Sequence, residues 1–139
     1  MEPEKLFAEE VTKAGKVWTL ASDKGWAASA SEDYEDAEVL PFWSAADKAA
    51  AAATEDWKGY APHALSLAAF LEEWLPGMHE DVTLAGVNWG DDRKGLEMEP
   101  LKLAREILDV IQVTRTQVKL QNFASISEFD KELTEMLKG

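Results

Sequence analysis

Apolar residues recur along this chain in two rhythms. Between Ser66 and Met78, Leu67, Phe70, Leu71, Trp74 and Leu75 fall at i, i+3, i+4, i+7 and i+8, the stripe of a helix packed on a core. Ser66 is placed to cap its first amides, and Pro76-Gly77 is expected to end it, because proline cannot continue the backbone ladder. A first helix is expected from Glu2 to Ala14, with Leu6, Phe7, Val11 and Ala14 on one face and Gly15 as its stop. The helix after Pro100 is apolar around more than half its circumference, through Leu101, Leu103, Ala104, Ile107, Leu108, Val110 and Ile111. A last helix is expected from Ser127, capped by Ser127 with Asp130, with Phe129, Leu133, Met136 and Leu137 at i, i+4, i+7 and i+8.

The second rhythm is that of strands. Runs at 16–21 and 25–30 flank Ser22-Asp23-Lys24, a hairpin signal. Residues 37–43 alternate weakly into a third strand, in which Pro41 suits an edge or a strand end. His63-Ala64-Leu65 leads into the central helix, 82–87 follows it, and 96–98 pairs with 82–87 as an edge. Between them, Ser44 with Asp47 resembles a capping box before an alanine-rich helix whose small side chains permit close packing on a sheet. The expected fold is α+β: a mainly antiparallel, mixed sheet with helices on it. We divide it into a core domain over 1–112 and a C-terminal helical extension over 113–139.

Charge changes the picture more than composition does. Net charge is −13, from 27 acidic and 14 basic residues. The tail from Val113 onward is balanced, four against four, so the first 112 residues carry the whole excess. Such a surface repels phosphate backbones and anionic membranes, so neither is expected as a partner. It suits a basic protein, although acidity also serves solubility alone. Cysteine is absent, which removes thiol catalysis and zinc–thiolate sites. The start carries no signal-peptide pattern and no run approaches a membrane span, so the cytoplasm is expected by default.

Several motifs in order carry a family likeness: Val17-Trp18, Gly25-Trp26, Val39-Leu40-Pro41-Phe42-Trp43-Ser44, the helix from Phe70 to Met78, and Gly86-Val87-Asn88-Trp89 followed by Gly95, Glu97 and Pro100. Over about Leu6 to Leu108 the chain resembles the bacterial domain of unknown function 2750. A fainter likeness to SseB-like domains lies in the strand–serine–helix junctions and rests on fold analogy. The first family has no established activity, so the resemblance implies no catalytic residues.

Candidate chemistry is sparse. No serine lies in a Gly-x-Ser-x-Gly elbow, and His63 and His79 lack ligand spacing. No catalytic residue, cofactor or metal is assigned. The carboxylates of Glu80-Asp81, Asp91-Asp92 and Glu97/Glu99 flank one hairpin and are placed to meet at its ends. Of six tryptophans, Trp18, Trp26, Trp43 and Trp74 fall on core elements. Trp57 and Trp89 fall in loops which, with Tyr60, Asp91 and Asp92, are the candidate interaction surface, against the alternative of packing beneath those loops. Ile111, Val118, Phe129, Leu133, Met136 and Leu137 are the candidate interface of a homodimer through the C-terminal helices, against an intramolecular pairing. The functional expectation is a non-enzymatic acidic interaction module, with an immunity-like partner of a basic toxin as its narrow form. The rival is a small-ligand binder or enzyme using carboxylates and tryptophans in a cleft.

Overall fold

A computed structural model of the chain describes residues 2–90 and 95–139. Helix α1 (Pro3–Ala14) opens with proline in its first turn and closes on Gly15, whose φ of 71° places it in the left-handed region. Strands β1 (Lys16–Ser22) and β2 (Gly25–Trp26) form the expected hairpin, but its second arm breaks after Trp26. The chain crosses to a different neighbour there, and β3 (Ser29–Ala30) pairs with β4 (Glu38–Phe42) instead of β1. Helix α2 (Ala46–Ala52), a single 3-10 turn (Glu55–Trp57) and β5 (Ala61–Ser66) follow, and β5 returns antiparallel along the whole of β1. Strand β6 (Leu84–Val87) runs parallel to β4, and β7 (Leu96–Met98) runs antiparallel to β6. The fold is α+β, mostly antiparallel, with one parallel pair at its centre. The expected sheet is thus two sheets, ordered β2-β1-β5 and β3-β4-β6-β7. Trp18 and Trp43 join them through reciprocal backbone hydrogen bonds of 2.8 and 2.7 Å.

Alternation along the strands assigns two cores. Val17, Phe42, Ala85 and Val87 face the larger one, with Phe7 and Val11 of α1 and Phe70, Leu71 and Leu75 of the central helix. Leu20, Val39, Trp43 and Leu84 face the smaller one, closed by Ala49 and Ala52 of α2 and by Trp57 and Trp89. The alanines do what their size permits: α2 lies against β1 and β5.

The central helix departs from its expected end. It begins as α3 (Leu67–Ala69) with Ser66 Oγ accepting from Ala69 N–H at 3.1 Å, as expected. It then widens into a π turn (Phe70–Trp74) and continues past Pro76 as α4 (Leu75–Glu80). A proline inside a regular helix lacks an N–H and presses its ring on the carbonyl four residues back. The π turn absorbs both defects by loosening that stretch, so the proline marks a bulge rather than a stop. Trp74, expected wholly inside, is half-buried.

Two other caps differ. Ala45, not Ser44, stands at the head of α2, because the Ser44 hydroxyl is engaged by Glu10 at 2.7 Å. Helix α6 (Ile126–Lys138) is capped by Ser125, whose Oγ accepts from Glu128 N–H at 3.2 Å, while Glu128 accepts from Ala124 N–H at 3.1 Å. That reciprocal pair satisfies more amides than Ser127 with Asp130, and Asp130 is used elsewhere.

The tail docks on α5 (Pro100–Thr114). Phe129 and Leu133 sink into the larger core, and Arg105 Nη1 meets Asp130 Oδ1 at 2.6 Å with Gln112 donating to its other oxygen at 2.8 Å. Between α5 and α6 the chain crosses the π turn, where buried Glu72 accepts the backbone N–H groups of Gln121 and Asn122, each at 2.8 Å. Two charge-assisted bonds to a buried carboxylate are worth more than their neutral counterparts. Glu72→Ala should cost about 2–4 kcal/mol, read from chemical denaturation, with faster amide exchange at Gln121 and Asn122. A loss below about 0.5 kcal/mol would show that the strap is held by α6 alone.

Acid should loosen the same tail from its other end. The Arg105 hydrogen bond, then that of Gln112, holds the Asp130 carboxyl below the ordinary carboxylate range. A depressed carboxylate adds stability that is complete above its unfolded value, about 3.9, and disappears as pH falls through the folded one. Wild type should therefore lose stability more steeply than Asp130→Asn below about pH 4, measured by urea midpoints across pH.

Candidate functional site

The expected loop tryptophans are interior residues. Trp57 and Trp89 are each 3% exposed, with rings stacked at 6.5 Å and 18°, and Trp43 meets Trp57 edge-on at 6.2 Å. Trp43 Nε1 donates to the Trp89 carbonyl at 2.7 Å, and Trp89 Nε1 donates to the Leu96 carbonyl at 3.0 Å. With their faces packed, neither Trp57 nor Trp89 can anchor a partner, and Tyr60 is half-buried against them. Asp91 and Asp92 lie outside the described residues. Gly86 and Gly95 make room for the Trp89 ring: a Cβ on either would stand 2.7 or 2.8 Å from it.

The proposed dimer face is likewise occupied. Ile111, Phe129 and Leu133 are buried within the chain, and Val118 and Met136 are partly covered by the same core. Only Leu137 of that set stays open, at 41%. A twofold contact through Phe129 and Leu133 would first require α6 to leave α5. The stripe finds its partner inside the chain because α5 is apolar too widely for the sheet alone.

Carboxylates gather at one end of the central parallel pair, where β4 and β6 both begin and α5 starts. A cleft of about 530 Å³ opens there between the loop before β4, the end of α4 and the head of α5. Glu35, Asp36, Asp81 and Glu99 line it together with Tyr34, His79 and Val82, and among the described residues no lysine or arginine lies on its wall. Lys102 reaches Glu99 from outside, 3.8 Å away. Of the expected hairpin carboxylates, the cleft takes Asp81 and Glu99. Glu97 is held away from it by the Ser31 hydroxyl and by Glu32 N–H at 2.9 Å. Among the described residues no group of three or more histidines or carboxylates is disposed to hold a metal ion.

The rim of the cleft is apolar and strained. Tyr34 is 58% exposed and Val82 is 80% exposed. Asp36 and Val82 have φ of 64° and 55°. Aspartate tolerates the left-handed region; a β-branched valine there is an outlier. Val82 sits where helices prefer glycine, its N–H donating to the His79 carbonyl at 3.2 Å as α4 ends. Strained residues of this kind concentrate at ligand sites.

At the opposite end of the parallel pair a polar knot holds the strand ends. Asn88 Oδ1 accepts the Ser44 N–H at 3.0 Å, Ser44 Oγ donates to Glu10, and Lys48 lies 3.5 Å from the same Glu10 oxygen. No histidine is among the hydrogen-bond partners of Ser44, so the knot ties α1 to the sheet without activating a nucleophile.

What these features define is an α+β domain with an acidic cleft that carries Tyr34 on its rim. The chain belongs to the DUF2750 family, proteins of unknown function, whose model matches residues 5–107. No curated protein and no solved structure matches it, and the SseB-like likeness gains no support. Every cleft residue lies within the matched span; α6 lies beyond it.

The glycine–tryptophan fit is open to test. Gly86→Ala would drive a Cβ into an indole fixed by hydrogen bonds at both its nitrogen and its backbone carbonyl. A destabilisation of about 1–3 kcal/mol and a red-shifted tryptophan emission are expected. An unchanged midpoint would show that the Trp89 ring moves freely.

Proposed function

We propose that this protein is a non-enzymatic interaction module whose acidic cleft receives a basic segment of a partner protein. The cleft carries this reading: four carboxylates line it, no lysine or arginine among the described residues stands on its wall, and Tyr34 and Val82 offer apolar contact at its mouth. A net charge of −13 would steer a basic partner toward it and speed encounter more than it deepens affinity. An immunity-like role, in which that face blocks a basic toxin, is the narrow form of the same reading. The alternative of a small-ligand binder or enzyme using carboxylates and tryptophans in a cleft would have to draw on tryptophans other than Trp57 and Trp89, which are interior. No helix among the described residues is long and apolar enough to cross a membrane.

A lysine-rich peptide titrated into isotope-labelled protein tests the assignment. Amide shifts should concentrate at 34–37, 79–84 and Glu99, and the double variant Glu35→Gln/Asp36→Asn should weaken binding about tenfold, equivalent to 1.4 kcal/mol. Asparagine tolerates the left-handed backbone of position 36, so this variant keeps the loop. Shifts spread evenly over all acidic surfaces, or binding indifferent to the double variant, would reject the cleft as the site.

A further inference from the structure

Beside the acidic cleft lies a second, shallower notch of about 290 Å³, lined by Leu40, Glu73, Trp74, Gly77, Met78 and Asp81. Asp81 also lines the cleft, so the two depressions meet at that residue. Trp26 packs against Trp74 of the notch wall, its ring centroid 4.8 Å from that of Trp74 at an interplanar angle of 82°. His63 of β5 braces Trp26 edge-on from another side, at 5.1 Å and 75°. Of the six tryptophans, all described, Trp26 alone is exposed, at 42%. The strand pattern places it in the core; the break between β2 and β3 leaves it outside instead.

An indole held by two ring contacts yet open to water has already lost much of the freedom that binding would otherwise remove. An indole's electron-rich face attracts a cation, and the notch that Trp74 lines supplies the opposite charge through Glu73 and Asp81. Among natural cations only guanidinium is planar, weakly hydrated, able to stack on an indole and able to bond a carboxylate with two N–H groups at once. Lysine, a compact hydrated charge, gains less from the ring.

We propose that Trp26, Trp74, Glu73 and Asp81 form an arginine subsite continuous with the acidic cleft, so that the partner's basic segment is read as arginine at this end. The inference rests on the interaction-module reading and gives it a residue preference. Arginine and tryptophan are the residue types in which interface energy concentrates, which suits a single exposed indole facing one guanidinium.

Two peptides of equal length and charge, one with arginine and one with lysine at every basic position, distinguish the outcomes by calorimetry on the full chain. The arginine peptide should bind about 2- to 5-fold more tightly, the range of an exposed cation–π contact. That preference should vanish in Trp26→Leu and shrink in Glu73→Gln, whose exposed position keeps the fold intact. Equal affinity of the two peptides for wild type, or a preference that survives both variants, overturns the subsite. In that case weakening of both peptides by Glu35→Gln/Asp36→Asn still sustains the interaction module. If neither peptide binds, the module reading fails and the subsite with it.

Discussion

Two backbone hydrogen bonds between Trp18 and Trp43 hold the two sheets together. Everything else is arranged around that pairing. β1 and β4 diverge from there, and the β2–β3 segment is inserted between them further along, pairing first with one and then with the other. Within the divergence, Thr19 Oγ1 donates to the Pro41 carbonyl at 2.8 Å, so a buried hydroxyl completes what an interrupted ladder leaves open. Joined in this way, the strands present Val17 and Phe42 to the helices on one side and Leu20 and Trp43 to the tryptophan core on the other. Two separate three- and four-stranded sheets would instead each expose a further edge.

The periodic parts of this fold were legible in the sequence. The stripe of Leu67, Phe70, Leu71 and Leu75 is buried as its spacing requires, and Ser66 caps it. What failed were local signals with distant competitors. Ser44 looks like a cap until Glu10, thirty-four residues away, takes its hydroxyl. Ser125 and Ser127 both precede an acidic residue by three; Ser125 wins because Glu128 bonds back across it while Arg105 claims Asp130. Pro76-Gly77 carries the strongest stop signal in the chain, yet no short-range pattern announces a π turn able to pass it.

The cleft was legible only in fragments. Its walls come from three segments, 34–37, 79–84 and 99–100, and the parallel pairing of β4 with β6 brings their ends together. Asp81 and Glu99 were recognisable as carboxylates flanking a hairpin. Glu35 and Asp36 belong to a loop more than sixty residues from Glu99, whose neighbourhood depends on that pairing. Val82 reads as the first residue of a strand, whereas the strand begins at Leu84 and Val82 ends a helix with a left-handed backbone. Loop positions left Trp57 and Trp89 between an interaction surface and packing beneath the loops, and the long-range fit with Gly86, Gly95 and α2 decides for burial.

The π turn links these separate histories. Neighbouring residues on a helix point about 100° apart, so a single turn can serve two surfaces. Glu72 points inward and takes two amides of the strap that precedes α6; Glu73 is exposed and lines the notch beside Trp74. The adjacent Trp74 touches Phe42 of the core on one side and Trp26 at the surface on the other. The family match ends before the strap, yet the turn that accommodates Pro76 lies inside it and supplies the strap's carboxylate anchor. A neutral tail closes over the apolar face of an acidic domain, and among the described residues it adds no cation to the wall of the cleft.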